Sequence, residues 1–180
     1  PEGWGPPVVI KPARQGSSVG LQVVDEIGGL RAGLEYALRF DTEALMEERI
    51  IGREATVGIL DDRALPVIEV CPRSGVMDYH HKYTKGATEF YLPARFDSDT
   101  NKKIQEVALA AVRAVGARDY ARVDVMVRPN GEPLVLEVNT LPGMTELSLL
   151  PKAAAAVGYS FAALCERMVE LALRRTGSGA

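Results

Sequence analysis

The chain has 180 residues, 47% of them hydrophobic, enough for one substantial core or two small lobes sharing a groove. Its 21 Lys and Arg against 24 Asp and Glu leave a net charge of −3, which points to neither nucleic acid nor an anionic membrane as the main partner. No apolar run approaches a membrane span, the Ala-rich stretch 153–157 being flanked by Lys152 and Gly158. Cys71 and Cys165 belong to no CxxC or Cys/His spacing and read as two buried thiols in a reducing compartment. The opening Pro1-Glu2-Gly3-Trp4-Gly5-Pro6-Pro7 has no initiator Met and no signal peptide, so a segment of a longer protein is expected.

In chain order, Val8 to Lys11 reads as a strand stopped by Pro12, then a small-residue loop from Ala13 to Ser18. Val19 to Val24 reads as a second strand. Over 27–39 the pattern is helical, with Leu30, Leu34, Ala37 and Leu38 on one stripe. Leu45 to Ile50 reads as a short strand carrying acids, ended by Gly52. Ala55 to Leu60 and Arg63 to Val70 flank Asp61-Asp62 as a two-residue hairpin. Residues 72–88 break all periodicity and read as a long surface loop, of a length that is usually functional or disordered. Ile104, Val107, Ala108, Ala111, Val112 and Val115 fall at helical spacing, with Gly116 as the stop. Tyr120 to Arg128 and Glu132 to Asn139 form a hairpin, and two helices follow at about 146–157 and 161–175, the second capped by Ser160. The class is α+β with prominent antiparallel strands.

Asn130-Gly131 between alternating apolar runs is a strong hairpin signal. As a two-residue loop it sets Asp124 directly across from Glu137, and Arg122 across from Asn139. Period two then puts Arg122, Asp124 and Met126 on one face and Val123, Val125 and Val127 on the other, with Leu134, Leu136 and Val138 inward. Directly opposed carboxylates repel at a Cβ separation of about 4.5–5.5 Å, so a cation is expected between them. Two carboxylates and an amide oxygen suit Mg²⁺ or Mn²⁺ better than zinc. The alternative is an exposed polar sheet face on which the two acids solvate apart.

Lys11 sits inside an apolar strand, where a lysine normally has an anion for company. Beyond it, Arg14-Gln15-Gly16-Ser17-Ser18-Val19-Gly20 offers small residues, hydroxyls and backbone N–H groups able to wrap a polyphosphate. It is not a Walker A loop, and taken alone an ordinary hairpin remains open. His80 and His81 are adjacent, point different ways and have no acid cluster with them, so they read as solvated loop residues.

The stretches Ala121-Arg122-Val123-Asp124-Val125-Met126 and Leu136-Glu137-Val138-Asn139-Thr140-Leu141-Pro142-Gly143-Met144-Thr145 resemble the C-terminal signature of the D-alanine–D-alanine ligase family. Lys11-Pro12-Ala13-Arg14-Gln15-Gly16-Ser17-Ser18-Val19-Gly20 is similar to that family's flexible loop, and Asp78-Tyr79-His80-His81-Lys82-Tyr83 to its lid. The resemblance implies an ATP-grasp fold: mostly antiparallel sheets flanked by helices, two lobes gripping ATP. Residues 1–52 would be the remainder of the central ATP-grasp subdomain. Residues 53–180 would be the C-terminal subdomain with the metal site and lid.

By the same resemblance, Asp124, Glu137 and Asn139 hold two Mg²⁺ or Mn²⁺ ions against the ATP phosphates. Lys11 meets the α/β-phosphates and Lys82 the γ-phosphate. Glu47 and the Glu48 carbonyl take the adenine amino group, the Ile50 N–H a ring nitrogen, and Glu54 the ribose hydroxyls. Arg49 stands where relatives often have an aromatic, which puts stacking there in doubt. Ser17 bonds Tyr83 when the lid closes, and Tyr83 favours an amine over a hydroxy acid as nucleophile. Arg122 and the Gly143 N–H stabilise an oxyanion, although Arg122 could instead simply neutralise Asp124 or Glu137. Ser148 grips the second D-alanine carboxylate.

The implied activity is ATP-dependent, ADP-forming ligation of two D-alanines for peptidoglycan precursor synthesis in bacterial cytoplasm. Cell wall biogenesis and cell shape would depend on it. The implied partners are ATP and D-alanine, with no nucleic acid or membrane, and a homodimer is one option for the full-length protein. The resemblance covers about the last three-fifths of the family's length, and the 180 residues alone are expected to be inactive. The alternatives are another ATP-grasp carboxylate–amine ligase, biotin carboxylase-like or glutathione synthetase-like, and a non-catalytic nucleotide-binding module.

Overall fold

A computed structural model describes residues 5–72, 88–146 and 148–177. The chain divides into two compact units, Pro1–Ile50 with Pro72–Glu89, and Ile51–Cys71 with Phe90–Ala180. Among the described residues, no helix is long and apolar enough to cross a membrane.

The first unit is built on a three-stranded antiparallel sheet of β1 (Val8–Pro12), β2 (Gln22–Val24) and β3 (Ala44–Glu48), in the order β2-β1-β3. Val8, Ile10 and Val24 turn to one face and meet helix α1 (Leu30–Ala37). The expected strand over 19–24 shrinks to three residues, because Ser17, Ser18 and Gly20 all take positive φ and coil the chain into turns. The expected apolar stripe also differs: Gly33 and Ala37 are the buried residues of α1, while Leu34 and Leu38 are exposed. The smallest side chains face inward because the helix lies so close to the sheet. A Cβ on Gly33 would stand 2.9 Å from Val24 and 3.1 Å from Ile10.

The other strands are β4 (Arg53–Leu60), β5 (Arg63–Ala64), β6 (Ile68–Pro72), β7 (Thr88–Tyr91), β8 (Tyr120–Val127) and β9 (Pro133–Asn139). They form one sheet in the order β7-β6-β4-β8-β9, with β5 also on β4. Asp61 and Asp62 both take positive φ, as a two-residue hairpin turn requires. The strand expected over 63–70 breaks at Leu65-Pro66, leaving β5 and β6 separate.

Helix α2 (Ser98–Ala114) covers one face, its Ile104, Ala108 and Val112 packing on Ala55, Val57, Ile59, Val123 and Val125. It starts earlier than the periodicity indicates, because Asp97 caps it by accepting from the Thr100 N–H at 2.8 Å. Its end is as expected, Gly116 taking φ +67. Helices α3 (Leu149–Ala155) and α4 (Phe161–Gly177) cover part of the other face through Leu150, Ala153 and Leu164 against Leu60 and Ile68. Ser160 caps α4, its Oγ accepting from the Ala163 N–H at 3.1 Å. The α+β class read from the sequence is the one adopted.

One ionised side chain is buried on the α2 face. Glu69, with its side chain 2% exposed, accepts from Arg53 Nε at 2.9 Å, Arg95 Nε at 3.0 Å and the Arg95 backbone N–H at 3.2 Å. Cys71 lies 3.4 Å from it; both cysteines are half-buried and unbridged, less hidden than the sequence suggests. Burial opposes the charge on Glu69, but the bonds from Arg95 and Arg53 outweigh it and hold the carboxyl at about 2. With the folded value below the ordinary 4.5, the stabilisation is complete above that pH and is lost as pH falls toward about 2. Glu69→Gln is expected to cost about 2 kcal/mol at neutral pH, lowering the thermal midpoint by roughly 4–8 °C, and to flatten the acid limb between those values. Calorimetry across pH 2–7 checks this.

Candidate active site

The site face of the second sheet follows from strand register. Thr56 pairs with Asp124, Gly58 with Arg122 and Glu54 with Met126 across β4 and β8. Across β8 and β9, Arg122 pairs with Asn139 and Asp124 with Glu137. Residues opposite one another in a ladder share a face, so Glu54, Thr56, Arg122, Asp124, Glu137 and Asn139 lie together. Leu150 and Leu65 fill the space above Gly58 at one end of this face. Asp124 is 8% exposed, whereas Glu137 is open to solvent.

The pairing of the acids is the expected one, reached by a different route. The turn is not a two-residue loop: Gly131 N–H donates to Arg128 O and Arg128 N–H to Glu132 O, both at 2.9 Å, and Gly131 takes φ +81. That closes a three-residue loop, and register beside it runs Val127↔Pro133, Met126↔Leu134, Val125↔Val135. An irregularity between Asp124 and Val125 then absorbs one extra residue of β9. The two offsets cancel, restoring Asp124↔Glu137. Between them the inward assignment of Leu134 and Leu136 fails. Leu134 shares the Met126 face, and Leu136 is 38% exposed.

Asp124 is held on every side. Arg122 donates from Nε to Oδ1 at 2.9 Å and from a terminal nitrogen to Oδ2 at 2.8 Å, a two-point ion pair. Thr56 Oγ1 donates to Oδ1 at 2.6 Å, and Asn139 Nδ2 to Oδ2 at 3.2 Å. The same Asn139 nitrogen reaches Glu137 Oε1 at 3.2 Å, so both carboxylates and the amide converge on one point. Burial works against the Asp124 charge, but Arg122 and Thr56 more than offset it and keep the carboxyl below its ordinary range. Burial likewise opposes the charge on Arg122, yet Asp124 holds its guanidinium above the usual value. Turned half a rotation, the Asn139 amide offers oxygen, completing a set of hard oxygen donors that fits Mg²⁺ or Mn²⁺.

In the first unit, Lys11 on β1 meets its anion within the chain, Nζ standing 2.9 Å from Glu47 Oε2 on β3. Glu48 ends that ladder opposite Val8, and Ile50 follows β3. The Arg49 guanidinium pairs with Asp25. Ser17 sits in the turns after β1 with φ +58. In the second unit, Ser148 precedes α3, its Oγ accepting from the Thr145 N–H at 3.1 Å, and a Cβ on Gly143 would stand 3.0 Å from that oxygen. The lid residues Asp78, His80, His81, Lys82 and Tyr83 lie outside the described residues. Thr56 was missed by sequence reading; its partner is 68 positions away, and no local pattern marks it.

Residues 2–170 match the family described as D-ala D-ala ligase C-terminus. The chain belongs to the D-alanine–D-alanine ligase family. It is 49% identical to a D-alanine–D-alanine ligase of Methylacidiphilum infernorum over 96% of this chain and 57% of that one. It is 50% identical to one from Syntrophotalea carbinolica over 91% and 53%. It thus spans a little over half the length of these ligases. Among solved structures, a D-alanine–D-alanine ligase from Bacillus anthracis complexed with ATP aligns with TM-score 0.82 at 33% identity, over 98% of this chain and 55% of that one. The VanG D-Ala:D-Ser ligase from Enterococcus faecalis aligns with TM-score 0.82 at 38% identity, over 92% and 49%. Membership in the ligase family sets aside the biotin carboxylase-like and glutathione synthetase-like alternatives.

The single Thr56 hydroxyl proton has two acceptors in reach inside the sheet, Asp124 Oδ1 at 2.6 Å and the Val123 carbonyl at 3.2 Å, and the shorter contact is to Asp124. Thr56→Val keeps the shape and removes the donor, and is expected to cost about 1–3 kcal/mol in urea unfolding, with the slope unchanged. Thr56→Ser should recover most of it.

Proposed function

We propose that the chain supplies the nucleotide- and metal-binding part of a ligase that joins two D-alanines in bacterial cytoplasm, with ATP going to ADP and phosphate. Its product would be a peptidoglycan precursor. The observation that supports this most is the convergence of Asp124, Glu137 and Asn139 beside Arg122 in a chain of this family. Residues 1–52 act as the remainder of the central ATP-grasp subdomain and 53–180 as the C-terminal one.

In the first step a D-alanine carboxylate oxygen attacks the γ-phosphorus, the bond to the β-phosphate oxygen breaks, and an acyl phosphate and ADP result. In the second, the amine of another D-alanine attacks the acyl carbon, loses a proton, and expels phosphate. Glu47, Glu48 and the Ile50 N–H hold adenine, and Glu54 the ribose. Lys11 binds the α/β-phosphates and Lys82 the γ-phosphate. Asp124, Glu137 and Asn139 would hold two Mg²⁺ or Mn²⁺ ions, which would supply charge neutralisation to the ATP phosphates. Arg122, oriented by Asp124, and the Gly143 N–H stabilise the oxyanion formed at the acyl carbon. Ser148 holds the second D-alanine carboxylate. Ser17 and Tyr83 meet when the lid excludes water from the acyl phosphate. Most of the rate enhancement then comes from positioning and charge.

The test is a product assay on the full-length protein with ATP, Mg²⁺ and D-alanine, with D-serine and D-lactate as competitors. D-alanyl-D-alanine and one phosphate per peptide bond are expected. Arg122→Ala is expected to lower kcat by about 10²–10³-fold with ATP binding largely kept. Asp124→Asn and Glu137→Gln are expected to abolish Mg²⁺-dependent nucleotide binding. Wild-type nucleotide affinity and turnover in both acid variants would refute the metal assignment, and nucleotide binding without any peptide product would mark a non-catalytic module.

A further inference from the structure

The loop that follows β1 contains a cation, Arg14, whose contacts are with the carboxylates of the segment before β3. Its backbone N–H donates to Asp41 Oδ2 at 2.7 Å and its guanidinium to Asp41 Oδ1 at 2.9 Å. The other terminal nitrogen pairs with the Glu43 carboxylate. Gln15 Nε2 donates to the Phe40 carbonyl at 2.9 Å. At the far end of the loop, Gly20 takes φ +75, and a Cβ there would lie 2.7 Å from the Phe40 ring and 2.7 Å from Pro12. The entry to the Gly16–Gly20 turn is therefore bonded to one short segment, 40–43, and its exit lies close against Phe40 of the same segment.

Asp41 is the hub of that fastening. Its side chain is 7% exposed, and the carboxylate also accepts from the Thr42 N–H at 2.7 Å, fixing the turn that leads into β3. β3 in turn carries Glu47 and Glu48. One carboxylate thus joins the stem of the Gly/Ser loop to the approach to the strand assigned to adenine. Two carboxylates compensate the Arg14 charge and hold its guanidinium against segment 40–43.

We infer that Asp41 is a positioning residue for nucleotide phosphate binding, holding the Gly16–Gly20 loop in register with β3 through Arg14. The inference rests on the assignment of this loop to ATP phosphates. It assigns Asp41 no contact with the nucleotide.

The experiment uses the full-length protein. Asp41→Ala is expected to raise KM for ATP and Kd for ADP about tenfold, with kcat and KM for D-alanine within about twofold of wild type. Asp41→Asn keeps an acceptor for the Arg14 and Thr42 N–H groups and should recover part of the loss. Arg14→Ala should shift the ADP affinity in the same direction, and the double variant should be no worse than Asp41→Ala alone, because the two side chains act as one unit. Arg14 is 62% exposed, so its variant remains informative if Asp41→Ala does not fold. Unchanged ADP affinity in Arg14→Ala, or in a folded Asp41→Ala, would overturn the inference. So would KM for ATP, KM for D-alanine and the thermal midpoint all worsening together, which marks a general structural role. The ADP titrations need no peptide product, so an absence of ligase activity would count against the proposed function and leave this inference separately tested.

Discussion

Two carboxylates set directly across a β-ladder repel one another, and the second sheet is organised around making that arrangement tolerable. Asp124 is the more buried of the two, and it is the one that receives the two-point bond from Arg122 and the hydroxyl of Thr56. Glu137 is left open to water, where a charge costs little. The gradient of burial across the ladder gives the pair a fixed member and an adaptable member. It also orients Arg122, since a guanidinium bonded at two points to Asp124 has little rotamer freedom left. Behind this face, α2 packs on Val57, Val123 and Val125 and keeps the strands from shifting.

The first unit handles charge by a related economy. Lys11 is matched to Glu47, Arg14 to Asp41 and Glu43, and Arg49 to Asp25. These three cations thus each have an internal anion, in keeping with the chain's net charge of −3. If the proposed phosphate role of Lys11 and the Gly/Ser loop holds, selectivity would come from loop geometry rather than from summed charge.

Much of this could be read from the sequence wherever the signal was local. Asp61-Asp62 announced a tight turn, Gly116 a helix end and Ser160 a helix start, and each is found there. Opposition of Asp124 and Glu137 was also legible, although the reasoning relied on a two-residue turn that the chain does not make. Pro129 and the αL glycine favour a three-residue loop, and the extra residue taken up on β9 brings the register back. A bulge has no composition of its own, which is why Leu134 and Leu136 were assigned to the wrong face. Thr56 and Glu69 were not legible, because each acquires its meaning from strands and arginines distant in sequence. The buried face of α1 was misread for a different reason. Periodicity marks large apolar residues, whereas close helix–sheet contact selected Gly33 and Ala37.

The central claim is that Asp124, Glu137 and Asn139 share divalent metal carrying the terminal phosphates of a nucleotide. Its most direct measurement is an anomalous difference map from crystals of the full-length protein grown with ADP and Mn²⁺. Manganese peaks are expected within about 2.0–2.3 Å of carboxylate oxygens of Asp124 and Glu137 and of the Asn139 amide oxygen, with phosphate oxygens completing the sphere. Manganese bound elsewhere, or ADP bound with these three side chains still joined only to one another and to Arg122, would contradict it.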